Sequence, residues 1–120
     1  MQKSFTVQHT GLANQLGSGS LPVLATPQLV ADMENTAASA CTPFLKPEQT
    51  TVGVNMKIDH LAPSLEGDTI LIDAQITEQT AKKFVFAIVA TCRGVKIGQA
   101  THTRVIVESE RFMPNAKQMN

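Results

Sequence analysis

From Thr26 to Cys41 apolar and polar residues recur at helical spacing, with Val30, Met33, Ala37 and Cys41 on one side and Gln28, Asp32, Asn35 and Ser39 on the other. This run predicts one helix, with Thr26 as N-cap and Pro27 at the first helical position, where a missing N–H costs nothing. From Val52 to His60 the period changes to two, and Val54, Met56, Ile58 and His60 fall in phase as the buried face of a strand. Further strands are predicted over Ile70 to Thr77, Phe84 to Thr91 and Val95 to Val107, joined by turns at Gly67-Asp68, Thr80 to Lys82 and Arg93-Gly94. Lys3 to His9 alternates like a first strand. Thr10 to Ala25, with its Gly-Ser-Gly-Ser and Leu-Pro, reads as a linker or lid with weak structure of its own, and Pro114 to Asn120 as a frayed polar tail. One strand, one helix and four antiparallel strands make an α+β domain, in which a curled sheet of about five strands wraps the helix and buries its apolar side.

Against that pattern Glu34 is out of place. It falls between the Val30/Cys41 stripe and the Ala31/Ala38 pair, away from the polar side of the helix. A carboxylate there costs several kcal/mol unless it is paired, hydrogen-bonded or useful. The partner the sequence offers is His60.

Length and composition change the picture by exclusion. A chain of 120 residues suits a single domain spanning 1–120, burying about two-thirds of its unfolded surface. The formal net charge is zero, there is no run of Lys or Arg, and Trp and Tyr are absent, so nucleic acid is not an expected partner. No apolar stretch approaches 18 residues, and the first residues alternate where a signal peptide has an apolar core; the expectation is a cytoplasmic protein away from the membrane. Cys41 and Cys92 lack metal-ligand spacing and read as small buried hydrophobes, so no metal or cofactor is expected.

Several short motifs then converge. His60-Leu61-Ala62-Pro63-Ser64-Leu65-Glu66-Gly67-Asp68-Thr69, feeding a long strand after a central helix, resembles the hotdog-fold thioesterase superfamily. Within it the chain resembles the fluoroacetyl-CoA thioesterase-like family: Thr26 stands eight residues before Glu34 in a Met-Glu context, Gly53 seven before His60, and Thr101-His102-Thr103-Arg104 lies in the last strand. The resemblance implies a hotdog fold, hydrolysis of a short acyl-CoA thioester, and Thr26, Glu34 and His60 as catalytic trio. It also implies Gly53 and Arg104 as substrate-binding residues, and a homodimer with each site near the subunit boundary.

The chemistry is consistent with the residues themselves. Thioester hydrolysis needs an attacking oxygen, a base, and donors for the charge that develops on the carbonyl oxygen. The start of a helix supplies oriented N–H groups. Glu34 suits direct attack or activation of water, and His60 suits orienting a hydroxyl or protonating the thiolate. Each residue also has a plainer role: Thr26 as a cap, Glu34 at a solvated flank, His60 at a rim, and Arg104, on the strand face of Ala100, His102 and Ile106, in a structural ion pair.

The segment from Thr10 to Ala25 departs from the family in lacking an aromatic lid; its bulk is Leu12, Leu16, Leu21 and Leu24, which points to a leucine-lined pocket without selectivity for fluorine. Lys57, Lys82, Lys83 and Arg93 are the scattered basic groups left to hold the CoA nucleotide. Two alternatives stand beside the thioesterase: a non-catalytic acyl-CoA-binding module and an enoyl-CoA hydratase. The second is weakened because Asp59 and His60, adjacent in a strand, point to opposite faces.

Overall fold

The computed structural model describes residues 1–119. Strand β1 (Gln2–Thr6) leads through a short helix, α1 (Ala13–Leu16), to the long helix α2 (Thr26–Cys41). Strands β2 (Gln49–His60), β3 (Thr69–Gln79), β4 (Lys83–Cys92) and β5 (Val95–Glu108) follow, and helix α3 (Ser109–Gln118) closes the order. The strands form one antiparallel sheet in the order β1-β3-β4-β5-β2. This is the hotdog arrangement, with α2 against the inner face of the curled sheet.

Alternation along the strands builds the core. Ile70, Ile72 and Ala74 of β3 and Phe84, Phe86, Ile88 and Ala90 of β4 turn inward and are buried against Leu29, Met33, Ala37 and Cys41 of α2. Each large side chain so buried contributes about 1.5–3 kcal/mol. The β4–β5 hairpin closes on Arg93 and Gly94, both at positive φ (53° and 74°), the pair of left-handed residues that matches a two-residue turn to strand twist. Lys3 Nζ donates to Asn35 Oδ1 and Ser39 Oγ at 2.8 and 2.7 Å, tying β1 to the polar side of α2.

Four expectations need correction. Thr26 does not cap α2: it is the first residue of the helix, the N-cap position falls on Ala25, and no side chain caps the end, because the Thr26 hydroxyl is engaged elsewhere. The segment 10–25 is more than a loose linker. Gly11 N–H is bonded to Gln8, α1 forms, Leu12 and Leu24 pair across a bridge, and both are 2% exposed, so two of its four leucines belong to the core while Leu16 and Leu21 point outward at 48% and 65% exposure. The tail is helical: α3 runs through Pro114, favoured by Glu110, Arg111, Met113 and Ala116, although it buries no residue. Asn120 lies outside the described residues.

The fourth correction is in β2. Its pairing with β5 slips between Gly53 and Asn55, leaving Val54 as an extra residue, 56% exposed. A bulge reverses the phase of a strand. Thr51 and Gly53 before it therefore share the inner face with Met56, Ile58 and His60 after it, whereas uninterrupted alternation would send Gly53 and His60 to opposite faces.

Candidate active site

Thr26 and His60 meet where α2 begins. The helix start lies over the end of β2, and Thr26 Oγ1 is 2.7 Å from His60 Nδ1. Both line a cleft of about 330 Å³ with Val23, Leu24, Ala25, Pro27 and the Leu61-Ala62-Pro63 segment. Burial lowers the His60 pKa from its ordinary 6.5, which keeps the ring neutral near pH 7. Its Nε2 is buried and has no hydrogen-bond partner among the described residues. In the first turn of α2 Pro27 has no N–H and Leu29 N–H is bonded to the Ala25 carbonyl, so Thr26 and Gln28 carry the N–H groups without a partner in the helix, and the cleft, which Thr26 lines, faces the positive end of the helix dipole.

Glu34 stands two turns further along and faces different neighbours. Its Oε2 is 3.6 Å from Arg104 NH1, and the Glu34 side chain is 41% exposed. The expectation that His60 partners Glu34 is therefore corrected: His60 is taken by Thr26, and Arg104 faces Glu34. The reason is the rise of the helix, since eight residues place Thr26 and Glu34 about 12 Å apart along its axis.

Arg104 is 8% exposed and firmly held. Its Nε donates to Thr51 Oγ1 at 2.9 Å, NH2 donates to the Thr51 carbonyl at 3.2 Å, and NH1 donates to His102 Nε2 at 3.2 Å. Gly53 completes the cluster. A Cβ on it would lie 2.6 Å from Glu34 Oε2, 3.0 Å from His102 Cε1 and 3.2 Å from Arg104 NH1, so hydrogen is the only side chain that fits without displacing them. Thr26 with His60, and Glu34 with Gly53 and Arg104, are thus two separate clusters on one inner face.

Two members, Thr51 and His102, escape a reading of the sequence. His102 sits in phase with Arg104 and Ala100, and two polar residues on an otherwise apolar strand face are the signal for it. Thr51 has no comparable signal, since only the bulge turns it inward. The basic groups do not gather at the cleft: Lys83 pairs with Glu78 at 3.3 Å, Arg93 pairs with Asp68, and neither they nor Lys57 and Lys82 line it. Cys41 and Cys92 are buried, and burial holds the Cys41 thiol above its usual range. Among the described residues no group of three His, Cys, Asp or Glu side chains is placed to hold a metal ion, and no helix is long and apolar enough to cross a membrane.

Comparison with known proteins places the chain in a family and bears out the fold. Residues 7–110 match the family described as fluoroacetyl-CoA-specific thioesterase, FlK. The fluoroacetyl-CoA thioesterase of Streptantibioticus cattleyicolor is 26% identical over 96 residues, which cover 80% of this chain and 69% of that protein. Among solved structures, a mutant of the fluoroacetyl-CoA-specific thioesterase FlK in complex with fluoroacetate and CoA superposes with a TM-score of 0.94 at 22% identity, covering 100% of this chain and 98% of that one. A Thermus thermophilus hypothetical protein, a thioesterase superfamily member, gives a TM-score of 0.89 at 21% identity, covering 98% and 88%.

Proposed function

The chain belongs to the fluoroacetyl-CoA-specific thioesterase family and is an acyl-CoA thioesterase, and from that premise we propose that it hydrolyses short-chain acyl-CoA esters to the free acid and CoA, with Thr26, Glu34 and His60 as catalytic trio. The observation that carries the reading is the 2.7 Å contact of Thr26 Oγ1 with His60 Nδ1 at the start of α2. A thioester carbonyl held there meets the unpaired N–H groups of the first helical turn, the kind of preorganised field that stabilises a developing oxyanion. His60, neutral near pH 7, orients the hydroxyl, and the thiolate leaves as an anion and takes up the proton that the attacking water releases, relayed through the imidazole. Glu34 supplies the negative oxygen, either attacking the carbonyl to form a mixed anhydride that water then opens, or drawing the proton from an attacking water. Gly53 and Arg104 bind the acyl group beside Glu34; the absence of a side chain on Gly53 gives room for that approach.

The separation of about 12 Å between Thr26 and Glu34 along α2 gives the reading its assembly. We include a homodimer, in which the site lies at the subunit boundary and the two clusters converge across it. Two features support this: β2 is a twelve-residue edge strand, and Glu34 and the Val54 bulge, 41% and 56% exposed, lie at that open side. The hydratase alternative loses ground on Asp59, which accepts a hydrogen bond from Gln99 Nε2 at 3.1 Å on the outer face, away from His60.

Release of free thiol from acetyl-, propionyl- and butyryl-CoA tests the reading. Wild-type protein is expected to release it, and Glu34→Gln, which keeps shape but removes the charge, is expected to fold and to lose roughly 10²- to 10⁴-fold in turnover. Binding without thiol release would refute hydrolysis in favour of a binding module. Unchanged turnover in the Gln variant would remove Glu34 from the trio, and a melted variant would make it a structural ion-pair partner.

A further inference from the structure

One buried titratable group on the inner face has no part in the reaction so far. His102 of β5 is 1% exposed and lies against Phe86 of β4, with ring centroids 6.4 Å apart and planes inclined by 29°. Its Nδ1 is 2.7 Å from the Asn55 carbonyl oxygen of β2. A carbonyl only accepts, so Nδ1 carries the proton and donates. Its Nε2 is 3.2 Å from Arg104 NH1, and a guanidinium only donates, so Nε2 is the acceptor. Together the two neighbours specify one protonation state, the neutral Nδ1–H tautomer. A second proton on Nε2 would aim an N–H at a guanidinium N–H inside the protein.

We propose that His102 is a positioning residue of the thioesterase site, which through its Nε2 lone pair fixes the Arg104 N–H group that faces Glu34. The rest of the guanidinium is already anchored, Nε and NH2 both being held by Thr51. NH1 is the nitrogen between His102 Nε2, at 3.2 Å, and Glu34 Oε2, at 3.6 Å. Without the acceptor on His102 the guanidinium is free to pivot about its Thr51 anchors, and NH1 loses its fixed relation to the carboxylate. The groups around the ring are Glu34 from α2, the Asn55 carbonyl and Gly53 from β2, Phe86 from β4 and Arg104 from its own strand; only Arg104 and Glu34 are charged. The Asn55 carbonyl follows directly after the bulged Val54, so the same irregularity that turns Gly53 inward also presents the acceptor for Nδ1.

The inference rests on the proposed hydrolysis for its catalytic consequence but not for its geometry, and two measurements separate these. Nitrogen-15 NMR of the wild-type imidazoles near pH 7 is expected to show His102 as the neutral Nδ1–H form, with an Nε2 resonance that moves when Arg104→Met removes its donor. An Nε2–H tautomer, an imidazolium, or an Nε2 resonance unmoved by Arg104→Met would overturn the proposal whether or not any thioester is hydrolysed.

The kinetic measurement uses acetyl-CoA and butyryl-CoA. His102→Phe keeps the ring and removes both polar atoms; a misplaced reacting group costs up to about 10²-fold, so kcat is expected to fall 10- to 100-fold while KM stays within about threefold. His102→Gln, whose amide oxygen can accept from Arg104, is expected to recover much of the loss. Full kcat in His102→Phe, or equal losses in the Phe and Gln variants, overturns the positioning role. If His102→Phe does not fold, His102→Met takes its place, being apolar and without an effective acceptor. Wild-type protein inactive on every ester tried would count against the proposed function, while the tautomer measurement would still decide the His102–Arg104 link.

Discussion

His60 and His102 both sit below the ordinary imidazole pKa of 6.5, chiefly because burial penalises the charged ring; at His102 the Arg104 charge adds to burial, while the Asn55 carbonyl and Glu34 oppose it. A histidine harder to protonate when folded binds more protons in the unfolded chain. Its stabilising effect is therefore complete above 6.5 and is lost as pH falls from there through the folded value. Calorimetry should show Tm falling as pH drops below 6.5, with a smaller fall in His102→Phe, and no decline from these groups above 7. A flat Tm across that acid window would contradict the neutral, buried assignment. At this scale Thr26, Glu34, His60, Gly53 and Arg104 are legible in the sequence as candidates. Their pairings are not, because which side chain faces Glu34 depends on helix rise and strand crossing, and neither is written in local spacing.

The element that decides the site is β2. Its hydrophobic alternation is correct from Met56 to His60 and fails at Val54, where the register slips against β5. A bulge leaves little trace in composition, since Val54 is as strand-compatible as any residue beside it. Its effect is nevertheless large, because one residue in a strand flips every side chain beyond it. Deleting Val54 alone should leave Gly53 two positions before Met56, so plain alternation keeps Thr51, Gly53, Met56, Ile58 and His60 on one face. Deleting Val54 and Asn55 together sets Gly53 beside Met56 and sends outward either Thr51 and Gly53 or Met56, Ile58 and His60, so thiol release should disappear and Tm should drop, as circular dichroism would record. A double-deletion variant with wild-type rate and Tm would mean that strand phase does not decide the site. Helix α2 shows the opposite case, with its span from Thr26 to Cys41 matching the periodicity because its ends carry strong signals in Pro27 and Pro43.

At the scale of the whole molecule the sheet has two edges, the five-residue β1 and the twelve-residue β2. In the proposed homodimer a second copy would cover the longer one and bring the separated clusters to a common boundary. Light scattering at micromolar concentration should give about twice 12.9 kDa. An active monomer of that single mass would defeat the dimer.

Substrate choice belongs to the same scale, since segment 10–25 lines one side of the cleft. That segment has no aromatic residue and offers Val23 and Leu24 to the cleft, and a methylene in such a pocket is worth only about 1 to 3 kcal/mol. Several short esters should be hydrolysed, with fluoroacetyl-CoA favoured over acetyl-CoA by no more than its intrinsic reactivity. The check is the ratio of the two kcat/KM values beside the ratio of hydroxide rates. An enzymatic excess of about a thousandfold, roughly 4 kcal/mol, would mean that selectivity arises elsewhere in the site.

By itself the sequence determined the α+β order, the span of the central helix, the inward phase of β2 from Met56 to His60, and the candidates for the site, because each is a local matter of period, turn residue or an ill-placed charge. Only the tertiary structure decided the folding of segment 10–25 onto the core, the bulge at Val54, the pairing of His60 with Thr26 in place of Glu34, and the burial of His102 against Arg104. These depend on register between strands and on where a helix crosses a sheet, and such relations join residues up to about fifty positions apart that no local pattern connects.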